Sequence, residues 1–147
     1  MCIAIQKEET LLNPIEFVDR YLAVWHEASP QARRDAVGAL WAEDGVHILQ
    51  PPEEAVNIAS RPGIGVTAVF QARGHDELTA RVESAHTEFV ASGQMTFRRR
   101  GDVSRVHDAV RFGWEAVSGG EVVSWGTNFV ILGPDGRIRF DYQFVAA

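Results

Sequence analysis

Cysteine is almost missing from this chain. Cys2 is the only one, so no internal disulfide can form and no thiol framework exists. So close to the start, it reads as part of a tail rather than as a nucleophile. Long apolar runs are missing as well. None approaches the roughly 18 residues that a membrane span needs, and the opening MCIAIQKEE has neither the basic start nor the apolar stretch of a secretory leader. The expectation is a cytoplasmic protein without a membrane partner. Positive charge is also in deficit. The formal net charge is −6, the wrong sign for holding nucleic acid by neutralising phosphates. The one basic run, Arg98-Arg99-Arg100, would alternate between the two faces of a strand and make no coherent patch. Cofactor signatures are absent too. Gly63-Ile64-Gly65 is too short and wrongly placed for a dinucleotide loop, and no Walker-type lysine or G-x-S-x-G motif occurs. The histidines lack the H-x-x-x-H spacing and the nearby carboxylates of a metal triad. Neither a cofactor nor a metal is expected.

What is present suits one packed domain. Of 147 residues, 46% are apolar and 10% aromatic, enough to bury a core and too apolar for disorder. The reading is a tail over 1–12 and a single domain over 13–147. Asn13, Pro14 and Glu16 have the spacing of a helix start, and Phe17, Val18, Tyr21, Leu22 and Trp25 then recur at three and four. Ser29-Pro30 starts a second helix at once, with Ala36, Val37, Leu40 and Trp41 as its inner face. Val46–Leu49 reads as a strand. Residues 51–73 are irregular, with a strand or edge piece at Val66–Phe70, and a connection of that length suits a lid or binding loop. A third helix opens at Gly74 and closes at Gly93, with Leu78, Val82, Ala85 and Phe89 on one face. Four strands follow, over Met95–Arg100, Val103–Val117, Val122–Leu132 and Arg137–Val145. Turns fall at Gly101-Asp102, Gly119-Gly120 and Gly133-Pro134-Asp135-Gly136. Helices first and an antiparallel meander last make an α+β domain with helices on one face of a curved sheet.

Asp19-Arg20-Tyr21-Leu22-Ala23, Leu40-Trp41-Ala42-Glu43-Asp44, Gly126-Thr127-Asn128-Phe129 and Asp135-Gly136-Arg137-Ile138 resemble the NTF2-like superfamily in their order and setting. The ketosteroid-isomerase and SnoaL-like polyketide-cyclase branches are the most similar, over about Asn13 to Val145. The resemblance implies a cone: three helices in the N-terminal half packed on a strongly curved, mostly antiparallel sheet. It also implies an apolar hollow for a small organic molecule. The superfamily commonly dimerises through the outer sheet face, here the row Phe140, Tyr142 and Phe144. In the isomerase branch a helix-1 tyrosine and a protonated acid hold a developing enolate while a carboxylate moves the proton. Tyr21 matches the tyrosine, and Asn128 falls where the acid sits; an amide donates a hydrogen bond as a neutral acid does. The base position falls on Leu49, or on Gln50 with one residue of slip, and neither removes a proton.

Two residues offer a replacement. Strand alternation puts His47 on the face of Leu49, and its reference pKa is near neutral; the same histidine could equally bond sheet to helix. Alternation in the last strand groups Asp141, Gln143 and Val145 on one face, and the resemblance implies that this face looks toward the hollow, so Asp141 is a second candidate base, or else the partner of an arginine such as Arg139 or Arg20. Gln143 is placed to orient a ligand. Within 103–117, Val106, Asp108, Val110, Phe112 and Trp114 share a face, which makes Asp108 an acid among apolar neighbours or a charge on the sheet rim. His86 falls near the buried side of the third helix, while Trp25, Trp41, Phe112 and Trp114 supply apolar walls. The expected function is a cofactor-free isomerase or cyclase acting on a polyketide- or terpenoid-like carbonyl compound. The alternative is a non-catalytic binder of a hydrophobic metabolite, or a structural dimer.

Overall fold

The computed structural model describes residues 13–146; Cys2, the expected tail over 1–12 and Ala147 lie outside the described residues. Two proline-started helices come first. Asn13 caps α1 (Pro14–Val24), accepting from the backbone N–H of Ile15 at 2.9 Å and of Glu16 at 3.5 Å. Ser29 caps α2 (Pro30–Leu40) by accepting from Ala32 N–H at 3.0 Å. In both, proline occupies an early position whose N–H has no intrahelical partner to lose. Phe17, Val18, Tyr21 and Leu22 form the buried stripe of α1. Arg33, itself buried, closes the corner between the helices by donating to the carbonyls of Glu27 and Ala28 at 2.8 and 3.0 Å.

Helix α2 passes without a loop into β1 (Trp41–Leu49), so Trp41 is a buried strand residue rather than the end of a helical face. The stretch over 51–73 contains a helix that the sequence pattern did not show, α3 (Glu53–Ala59). Glu53 and Glu54 stand in its first turn, where negative charge complements the helix dipole. None of its residues is buried, so it carries no apolar stripe for periodicity to reveal. Of the strand expected at Val66–Phe70, only Phe70 belongs to β2 (Phe70–Arg73), which pairs antiparallel with β1 through Leu49 and Phe70.

Helix α4 (Gly74–Ala85) buries Leu78, Thr79 and Val82. Its last stretch, His86–Ala91, widens into a π-turn, with Ser92 N–H reaching the carbonyl of Thr87 at 3.1 Å. The meander follows: β3 (Thr96–Val106), β4 (Ala109–Ser118), β5 (Glu121–Leu132) and β6 (Ile138–Ala146). Here the turn expected at Gly101-Asp102 is a bulge inside β3, where the register shifts between Arg100 and Ser104. The chain reverses instead at His107-Asp108, with His107 at a φ of +52°, a conformation few non-glycine residues adopt. Strand pairing outweighed turn propensity here: Val106 faces Ala109 across the ladder, and the bulge at Gly101, with its positive φ, takes up the two extra residues of β3.

The six strands run in the order β2-β1-β6-β5-β4-β3 and curl without closing; β1 and β6 are parallel and the other neighbours antiparallel. The core lies between the helices and the concave face, with Phe17, Val37, Trp41, Leu78, Phe112, Val130 and Ile138 almost wholly buried. Each large apolar side chain so buried contributes about 1.5–3 kcal/mol. Gly126 has a specific task in the curl. A Cβ there would collide with the Trp114 indole and the Phe144 carbonyl, so glycine lets the indole lie against β5.

Candidate functional site

Strand alternation turns Asn128 of β5 and Asp141 and Gln143 of β6 inward, and the ladder sets Asn128 opposite Gln143 and Val130 opposite Asp141. Tyr21 comes down on them from α1. Its hydroxyl donates to Asp141 Oδ2 at 2.6 Å and accepts from Asn128 Nδ2 at 2.9 Å. Asn128 Nδ2 also donates to Asp141 Oδ1 at 2.7 Å. Both amide hydrogens of Asn128 are therefore committed, and its Oδ1 is buried without a hydrogen-bond partner among the described residues. Asp141 has no exposed surface. Tyr21 is held from the sides by Phe112, edge-on with ring centres 5.1 Å apart, and by Trp41 at 5.6 Å.

The parallel pairing of β1 with β6 brings His47 beside Asp141. Its Nε2 lies 2.7 Å from Gln143 Oε1 and 3.9 Å from Asp141 Oδ2. Arg81 of α4 approaches from the other side, with Nη1 at 3.1 Å from His47 Nδ1 and 3.0 Å from the His47 carbonyl oxygen. A guanidinium only donates, so Nδ1 must accept. The His47 proton therefore resides on Nε2 and is donated to Gln143 Oε1. One arginine fixes the tautomer of the histidine and, through it, the orientation of the amide.

These groups floor a cavity of about 480 Å³. Leu22, Trp25, Leu49, Phe89, Met95, Phe97 and Trp114 make it predominantly apolar. Tyr21, His47, Arg81, Asn128 and Gln143 supply the polar floor, with Ser84, Glu88 and Ser124 also in the lining. Burial sets the electrostatics. It raises the pKa of Asp141 from the usual carboxylate value, against His47, the bonds from Tyr21 and Asn128, and Arg81. Tyr21 is raised well above the ordinary phenol value by burial and then by the charge of Asp141. Burial lowers His47, and the charge of Arg81 adds to that while Asp141 and Gln143 oppose it.

A histidine held neutral in the fold makes stability fall as pH drops below about 6.5, its ordinary value. The unfolded chain takes up a proton there and the folded one does not, until its own lower pKa is reached. His26 is lowered in the same sense by partial burial, so the contribution of His47 is read as a difference. Thermal unfolding between pH 8 and 5 should show wild type losing more Tm than His47→Gln. Parallel curves would contradict the neutral assignment.

Tyr21, Asn128, His47 and Asp141 thus come together in one network, and Trp25, Leu49, Trp114 and Gln143 line the cavity. Other placements differ. Trp41 and Phe112 are not walls of the cavity; they are packed behind Tyr21. Asp108 is not on the inner face, because the strand expected over 103–117 breaks just before it. It stands on the β3–β4 turn, its side chain half exposed and 3.3 Å from His107 Nδ1. His86 is outside the cavity lining, since the π-turn changes the repeat after Ala85 and brings Glu88 and Phe89 to the cavity instead. Arg81 went unrecognised. Its signal was a charge at the spacing of the apolar stripe Leu78, Val82 and Ala85. Among the described residues no three His, Cys, Asp or Glu side chains gather into a group able to hold a metal ion, and no helix is long and apolar enough to cross a membrane.

No family model matches the sequence, and no curated protein does. Solved structures do match. A proposed isomerase of the SnoaL-like family from Agrobacterium tumefaciens strain C58 aligns at 27% identity over 91% of this chain and 97% of its own, with a TM-score of 0.72. A SnoaL-like protein of unknown function from Burkholderia thailandensis aligns at 16% identity over 91% and 95%, with a TM-score of 0.60. A proposed polyketide cyclase from Sinorhizobium meliloti does so at 12% over 88% and 94%, with a TM-score of 0.55. The last two show likeness of fold alone. Together with the curled sheet and its helices, these matches show an NTF2-like fold. Its likeness within that fold is to SnoaL-like proteins.

Proposed function

We propose that the protein is a cofactor-free isomerase- or cyclase-type enzyme acting on a small, largely apolar carbonyl compound, of the polyketide or terpenoid kind, with Tyr21 and Asp141 moving the proton. The observation that carries this reading is the 2.6 Å bond from Tyr21 to a carboxylate with no exposed surface, at the floor of an apolar cavity. Asp141 meets no ligand directly, because it lies behind Tyr21 and Asn128. Tyr21 does line the cavity. In the proposed step a C–H bond next to the ligand carbonyl breaks and its proton goes to the Tyr21 oxygen. The proton of Tyr21 passes at the same time to Asp141 Oδ2, and the electron pair of the C–H bond moves onto the carbonyl as an enolate. Reversal at another carbon gives an isomer; attack by the enolate carbon on a second carbonyl gives a ring. The concerted transfer spares Tyr21 a free phenolate, which its raised pKa disfavours, and Asn128 supports charge on the phenol oxygen. His47 is the weaker base, its Nδ1 lone pair being occupied by Arg81. Turnover of candidate carbonyl compounds by wild type and Tyr21→Phe tests the reading.

The second reading is a non-catalytic binder of a hydrophobic metabolite. What favours it is Leu49, which lines the cavity where the resemblance puts a proton-moving carboxylate. Equal ligand affinity in wild type and Tyr21→Phe, with no turnover in either, would select it.

Two copies are proposed to pair through the outer sheet face. Phe129, Tyr142 and Phe144 stand there in adjacent rungs, 40%, 39% and 54% exposed. Beside them on β4 the charge of Glu115 is met within the chain by Arg98 and Arg100, so the apolar row itself would carry a twofold contact. Sedimentation should give a dimer for wild type and a monomer for the Phe129→Glu, Tyr142→Glu double variant. A monomeric wild type would end the proposal.

A further inference from the structure

The polar floor of the cavity has a distinct polarity on either side of His47. Arg81 spends both hydrogens of Nη1 on His47, at Nδ1 and at the carbonyl oxygen. The N–H groups on Nη2 and Nε have no acceptor among the described residues. Arg81 also makes no ion pair there, whereas Arg33, Arg34, Arg98 and Arg99 each do. Because Arg81 forces the His47 proton onto Nε2, Gln143 must turn Oε1 toward it, which leaves the Gln143 NH₂ as the free end of that amide. Arg81 and Gln143 both line the cavity. Both therefore offer donors to the cavity, and one of them is a permanent cation. Glu88 is the carboxylate of the lining; it is exposed and pairs with neither.

We infer that the ligand carries an anionic oxygen group, a carboxylate in the first instance, which Arg81 Nη2 and Nε and the Gln143 amide receive together while its apolar body lies against Trp25, Phe97 and Trp114. A planar fork of N–H groups beside an amide N–H matches the two oxygens of a carboxylate. This rests on the cavity being a ligand site, as proposed above, and not on the proton transfer.

Calorimetry with 1-naphthylacetate and its neutral isostere 1-naphthylacetamide tests it. Wild type should bind the acid about tenfold more tightly than the amide. Arg81→Met should abolish that preference, bringing acid and amide to affinities within about twofold of each other. Arg81 also braces His47, so Gln143→Glu serves as a second variant, one that keeps the side-chain size and sets a negative charge against the acid. It should bind the amide and reject the acid. Equal affinity for acid and amide in wild type, or an acid preference that survives both substitutions, overturns the inference and leaves the cavity reading standing. Binding of neither probe to wild type overturns both.

Discussion

Tyr21→Phe is expected to lower kcat on a converted carbonyl compound by about 10²–10³-fold, with a much smaller change in KM. The phenol is the cavity-lining group whose own proton Asp141 accepts: its oxygen receives from Asn128 and gives to the carboxylate. Removing it breaks the route of the proton while the apolar walls that bind the ligand stay. Loss of one positioned hydrogen-bonding group in a buried site costs about that factor. The price in stability is smaller, about 1–3 kcal/mol, because Asp141 loses its shortest bond but keeps the one from Asn128. Steady-state kinetics on the two proteins decides the matter. Activity within threefold of wild type would show that the proton travels elsewhere.

Asp141→Asn should be inactive and no less stable. As proton acceptor the carboxylate contributes on the order of 10²–10⁴, and an amide cannot take its place. The amide does fit the network: its oxygen accepts from Asn128 and its NH₂ donates to the Tyr21 oxygen. A wholly buried carboxylate is a strained tenant, so the neutral side chain should add on the order of 1 kcal/mol at neutral pH, the usual exchange of function for stability. The sign with pH follows from the direction of the shift. The Asp141 pKa is raised by burial, so the wild-type network is most stable below the ordinary carboxylate value and weakens as pH rises through the folded pKa. The advantage of Asp141→Asn in Tm should therefore grow with pH. Over the same range kcat/KM of wild type should rise, because only the ionised carboxylate accepts a proton. A variant less stable than wild type at every pH would contradict this.

The meeting of Tyr21, Asn128, His47 and Asp141 was legible because it depends on strand alternation and one helical stripe, which survive errors in where elements end. The resemblance placed Asn128 and set which face of β6 looks inward, parity then kept Asp141 with Gln143, and Tyr21 follows from the spacing of Phe17, Val18 and Leu22. The errors arose where parity is reset. Moving one turn from Gly101-Asp102 to His107-Asp108 put Asp108 on a tip, and a π-turn after Ala85 took His86 off the cavity face. Helix α3 was hidden because it buries nothing. Arg81 was passed over for a different reason. A charge within an apolar stripe looks like a flaw in the pattern until its partner is known, and His47 lies 34 residues away on another element.

Deuterium incorporation at carbon is the most direct measurement, since it follows the proton and needs no knowledge of the product. 2-Tetralone, an apolar bicyclic ketone of a size suited to a cavity of about 480 Å³, would be incubated in D₂O with wild type, Tyr21→Phe or Asp141→Asn and followed by NMR. Wild type should accelerate exchange next to the carbonyl, and both variants should return it to the rate of buffer alone. Exchange as fast in Tyr21→Phe as in wild type would contradict a carboxylate that reaches its ligand only through the phenol.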